Sequence, residues 1–102
     1  MVRFNSLLLI YQELLSKTQK EILTDYFAFN LSISEIADNR GVSRAAVEDA
    51  IKKGQNKLEE FEEKLQILNK KQSLLKLVEE LKTETDENKK AVILENIERS
   101  IN

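Results

Sequence analysis

Apolar side chains at Phe4, Leu7, Leu8, Tyr11, Leu14 and Leu15 recur at three- and four-residue spacing, with Arg3, Asn5, Gln12 and Glu13 between them. That periodicity predicts a first helix over residues 4–15. Ser16-Lys17 forms a connection, and Thr18-Gln19-Lys20-Glu21 has the form of a capping box. A second helix is therefore expected from Gln19, with Ile22, Leu23, Tyr26 and Phe27 inward, ending before Asn30, which tolerates left-handed geometry. Ser32-Ile33-Ser34-Glu35 repeats the box and opens a short helix with Ile33, Ile36 and Ala37 on its inner side. Asn39-Arg40-Gly41 supplies a turn, because Gly41 accepts a positive φ without steric cost. Val42 is expected to pack inward, and Ser43 to cap a helix that begins at Arg44.

That fourth helix reads differently. Val47, Ile51, Gly54, Leu58, Phe61, Leu65 and Leu68 alternate steps of four and three, the seven-residue repeat of a coiled-coil seam. Unbroken over 44–68 it would reach about 37 Å at ~1.5 Å per residue, more than the rest of so small a domain can cover. Leu58, Phe61, Leu65 and Leu68 are accordingly assigned to dimerisation. Gln72 interrupts the repeat, Leu74, Leu75, Leu77, Val78 and Leu81 resume an apolar face, and a bend is expected at 69–73. Residues 82–90 carry no apolar side chain and read as a loop. A last helix over 91–101 places Leu94, Ile97 and Ile101 on one face.

A length of 102 residues suits a single domain over 1–102, in which 33–52 is a helix-turn-helix and 53–102 an extended helical, dimerising region. Absent Pro and only two Gly make the expected class all-α. Composition also removes chemistry: Cys and His are both missing, which excludes a disulfide framework, a thiolate nucleophile, the usual zinc sites and an imidazole base. Neither glycine belongs to a phosphate-cradling loop, and paired acids such as Glu59 and Glu63 on a repetitive charged helix read as surface groups. The chain is thus read as non-enzymatic, with no catalytic residue, metal or cofactor. No stretch of about 20 apolar residues occurs, so no membrane insertion is expected, and the expected compartment is the cytoplasm.

Function concentrates in ISEIADNRGVSRAAVEDAIK, residues 33–52. Small Ala37 sits where two helices cross, Gly41 makes the turn, and Ile36, Val42, Val47 and Ile51 form the interface of a helix-turn-helix. Ser43, Arg44 and Ala45 open the second helix, where base edges and phosphates are met, and Lys52 and Lys53 complete the candidate nucleic-acid-binding set a turn or two later. Glu48 and Asp49 lie on the same outward side, and the net charge is -2, so tight operator binding is disfavoured relative to a weaker nucleic-acid contact or a protein partner. Lys64, Lys70, Lys71 and Lys76 form a stretch without an acidic residue; it balances the acids at 59, 60, 62 and 63 and is read as solvated surface rather than a phosphate strip.

LLSKTQKEIL, the pair Asp25-Tyr26, and SISEIADNRGVSRAAVEDAIKK followed by LEEFEEKL together resemble the YlxM family of small bacterial proteins, whose helix-turn-helix is similar to region 4 of sigma factors. The resemblance covers most of the chain and is least distinctive in its last third. It implies an all-helical, dimeric protein acting in the signal recognition particle pathway as a regulator, with the particle's RNA or GTPases as partners and DNA as the alternative. By motif position it carries Ser43, Arg44 and Ala45 over as the start of the recognition helix and Lys52 as a backbone contact, whereas Glu48 and Asp49 depart from the polar or basic groups usual there.

Overall fold

A computed structural model describes residues 2–101. Among them there are only helices, in two compact units, Met1–Leu65 and Gln66–Asn102. The first unit contains α1 (Val2–Tyr11), α2 (Lys17–Leu23), α3 (Ile33–Arg40) and α4 (Arg44–Leu65). A turn of 3₁₀ helix, Gln12–Leu14, follows α1, and a π-helical turn, Thr24–Ala28, continues α2.

α2 begins two residues earlier than its sequence predicts. The Oγ of Ser16, not Thr18, accepts the Gln19 amide at 3.2 Å. The α2 backbone then widens, with the Phe29 amide donating to Thr24 O at 3.1 Å, and the helix stops as Asn30 takes φ +57°. This extra residue per turn sets Phe27 to stack on Phe4 of α1, centroids 5.4 Å apart, with Tyr26 edge-on to it at 5.0 Å. At α3 both halves of the capping box form: the Glu35 amide donates to Ser32 Oγ, and the Ser32 amide to Glu35 Oε1, each at 3.1 Å.

α1, α2 and α3 all pack on α4. Leu7, Leu8, Tyr11, Ile22, Leu23, Ile36, Ala37, Val47, Ile51 and Leu58 are buried, and α4 is the shared wall of that core. The seam assigned to dimerisation is largely occupied within the chain. Leu58 is 0% exposed, covered within its own unit, and Phe61 is half-buried with its ring 5.9 Å from Tyr11. Only Leu65, 46% exposed, is left outward, while Leu68 is buried. The helix is covered because α1 and α2 fold back along it. The helix is also shorter than expected: it ends at Leu65, where Gln66 takes φ +56°, so the break lies at 66 and not at 69–73. A left-handed non-glycine residue costs about 1 kcal/mol, which marks 66 as an imposed stop.

The second unit is a hairpin of α5 (Ile67–Thr83) and α6 (Glu87–Ile101). Its loop is 84–86, far shorter than the expected 82–90. Asp86 caps α6, its Oδ1 accepting the amides of Asn88 and Lys89. No residue of α6 is buried, and Val92, Leu94 and Ile101 stand exposed.

Candidate functional site

The site is the α3–turn–α4 element. α3 ends on Gly41 at φ +65°, whose would-be Cβ meets nothing within 4 Å, so the requirement there is for backbone conformation and not for space. The left-handed turn sends the Val42 amide back to Ala37 O at 3.1 Å. Val42 was expected inward, but that closure uses its backbone and leaves its side chain 46% exposed. Of the other residues assigned to the interface, Ile36, Ala37, Val47 and Ile51 are buried, and this fixes the angle at which α4 leaves the turn.

Ser43 Oγ accepts the Ala46 amide at 3.0 Å and so caps α4. Ser43, Arg44 and Ala45 are exposed on the first turn, beside amides that the helix itself does not use. Lys52 and Lys53 are exposed a turn or two later. Lys53 Nζ lies 2.9 Å from Asp49 Oδ2, so its charge is already matched on its own helix. Arg44 and Lys52 make no ion pair among the described residues. With Glu48 also exposed, the outward face carries two cations free of carboxylates, one paired lysine and two acids. A polyanion meets little net attraction there. A surface with both signs suits a partner that supplies both signs.

Three polar contacts that sequence reading missed hold the element in place. Arg40, the last residue of α3, donates to Glu21 Oε2 of α2 at 2.8 Å, with Asp25 Oδ2 4.0 Å away. Arg3 donates to both carboxylate oxygens of Glu59, at 3.0 and 2.8 Å, tying α1 to α4. Tyr11 Oη donates at 2.6 Å to Glu62, which is 5% exposed and so is not one of the solvated acids it was grouped with. Its position four residues after Leu58 was the available signal. Lys64 lies in the last turn of α4, in the first unit, while Lys70, Lys71 and Lys76 lie on α5, in the second.

The Arg40 hydrogen bond holds the Glu21 carboxyl below the ordinary carboxylate value, and the Arg3 hydrogen bond does the same for Glu59, while raising Arg3. A carboxylate with a depressed folded pKa contributes stability above its unfolded pKa and loses it as pH falls through the folded value. Urea midpoints of wild type and Glu21→Gln should therefore differ at neutral pH and converge as pH falls below the ordinary carboxylate range and through the lowered folded pKa. A gap that persists in acid would mean that the pair is not the cause. The Arg40–Glu21 pair is only partly buried, so high salt should narrow the gap as well.

Against known proteins, a family described as "helix-turn-helix protein, YlxM / p13 like", UPF0122, matches residues 1–98. A UPF0122 protein of Fusobacterium nucleatum is 42% identical over 96 residues, covering 94% of this chain and 93% of that protein. UPF0122 proteins of Bacillus cereus and Bacillus anthracis are each 45% identical over 80 residues, 78% of this chain and 73% of theirs. No helix among the described residues is long and apolar enough to cross a membrane.

Proposed function

The chain belongs to the UPF0122 family of helix-turn-helix proteins, and from that premise we propose that it is a cytoplasmic, non-enzymatic regulator of the signal recognition particle pathway. In this reading it contacts the particle's protein or RNA through the outward face of α4. The observation that carries the mode of binding is the charge of that face: Glu48 and Asp49 stand among Arg44, Lys52 and Lys53, and Lys53 is paired with Asp49. Duplex DNA, the second reading, is favoured by Arg44 and Ser43 at the exposed start of α4, but it must overcome both acids. The assignment to protein targeting is supported by the likeness to the YlxM family.

The test is retention from a bacterial lysate, with and without nuclease, comparing wild type with Arg44→Ala/Lys52→Ala. The targeting GTPases or their RNA should be retained by wild type and lost several-fold in the double variant. Nuclease then separates an RNA bridge from a protein contact. A defined DNA fragment, retained by wild type and lost in the variant, would instead make the chain a transcription regulator. Equal retention by both forms would remove α4 from the interface.

The reading includes a homodimer, moved from α4 to the C-terminal hairpin. A two-helix unit with no buried residue on α6 lacks a core of its own, and a second hairpin would cover Leu94. Sedimentation at micromolar concentration should give a dimer that Leu94→Asp dissociates; a wild-type monomer would overturn this part.

A further inference from the structure

Along α5 the residues Ile67, Lys70, Lys71, Leu74, Leu75 and Val78 line an open groove of about 470 Å³, bordered on its other side by Ser100 and Ile101 of α6. Their spacing is three, four, seven, eight and eleven residues from Ile67, one continuous helical stripe about 17 Å long at ~1.5 Å per residue. Four members are apolar, and two of these, Ile67 and Leu75, are 44% and 55% exposed. The two polar members of the stripe are lysines, and among the described residues no carboxylate lines the groove. Neither lysine has an ion pair among the described residues. At about 100° per residue, Lys71 falls within the angular span of the apolar side chains and Lys70 at its edge.

That placement selects the occupant. A second copy joining through the same stripe obeys a two-fold axis, so each residue meets the partner's stripe reciprocally. Antiparallel or parallel, four lysines would then gather midway along an apolar contact with no acid to answer them. A lipid surface fits poorly too, because an interfacial helix keeps its lysines on the polar flank, whereas Lys71 sits among the residues that would enter the acyl region. A helix with apolar residues over about three turns and carboxylates within and beside that face satisfies both the apolar stripe and the two cations. We propose that the Ile67–Val78 groove of α5 is a docking site for an acidic amphipathic helix of a partner protein. Neither Leu94 nor any residue of the helix-turn-helix lines this groove, and the proposal does not depend on the function proposed above.

The probe is a labelled designed peptide of about 18 residues, with leucine on one helical face and glutamate within and flanking it. Its counterpart carries lysine in place of each glutamate. Binding to the full-length chain is followed by fluorescence anisotropy. The acidic peptide should bind at least about tenfold more tightly than the basic one. Lys70→Glu/Lys71→Glu should reverse that order, while Lys52→Glu/Lys53→Glu, the same charge change on α4, should leave it unchanged. Leu75→Asp should weaken both peptides. Equal affinities, or no reversal, would overturn the proposal. So would Leu75→Asp converting a dimer to a monomer without affecting peptide binding, which would make the occupant a second copy. Binding to anionic phosphatidylglycerol vesicles that Lys70→Glu/Lys71→Glu abolishes, with no peptide binding, would make it a membrane.

Discussion

Leu58→Asp is expected to unfold the N-terminal unit rather than dissociate a dimer. Leu58 is completely buried in its own unit, on the α4 face against which α1 and α2 pack. Truncating a buried leucine costs about 2–5 kcal/mol, and an unpaired carboxylate adds the penalty of a buried charge. A unit of this size has a total stability of roughly 3–10 kcal/mol at ~0.05–0.15 kcal/mol per residue. The substitution therefore exceeds or consumes the whole margin. Leu65→Asp, seven residues on and 46% exposed, should cost less than about 1 kcal/mol. Far-UV circular dichroism with thermal melting separates the cases. Leu58→Asp should lose helix content and its cooperative transition, and Leu65→Asp should retain both. A Leu58→Asp chain with wild-type melting and half the wild-type mass would restore the intermolecular seam.

The same residue shows how far the sequence could be read. The inward set on α4, Val47, Ile51, Gly54 and Leu58, was legible because apolar periodicity identifies the face that must be covered. It does not identify what covers it. A helix from the same chain and a helix from a second copy ask for the same side chains, and only the return path of α1 and α2 decides between them. Capping boxes were legible where one candidate stood alone, as at Ser32 and Glu35. At α2 the box at Thr18 and Glu21 drew the reading, whereas Ser16, read as connection, is the residue that caps.

Helix ends with no local chemistry were not legible. Gln66 adopts a left-handed conformation that its side chain does not favour, and the heptad spacing runs straight through it to Leu68. Lys82 and Thr83 are helical although the segment around them is polar, since a turn exposed on most sides needs no apolar residue. The site divides in the same way. The turn and its packing residues follow from Ala37, Gly41 and Val47, whereas the pairing of Lys53 with Asp49, or of Arg40 with Glu21, depends on rotamers and on contacts between helices.

Gly54→Val should be nearly as damaging as Leu58→Asp, and Gly54→Ala should cost up to about 2 kcal/mol despite improving the helix. A Cβ at position 54 would lie 2.5 Å from Leu23 Cδ1 and 3.0 Å from Cδ2 and Cγ. All three atoms belong to a side chain that is itself 0% exposed, so it has no free space into which to rotate. Alanine gains about 1 kcal/mol of helix propensity over glycine, but overpacking at a closed crossing costs about 1–3 kcal/mol, and the second term wins. Valine adds two methyl groups to the same contact. The mechanism makes a claim stricter than destabilisation alone. If the clash with Leu23 is the cause, Leu23→Ala should cost about 2–5 kcal/mol by itself, while Gly54→Ala/Leu23→Ala should cost less than the sum of the two by about 1 kcal/mol or more. Urea denaturation of the four proteins measures that coupling directly. Simple additivity would mean that glycine is needed at 54 for something other than the close approach of α2 to α4.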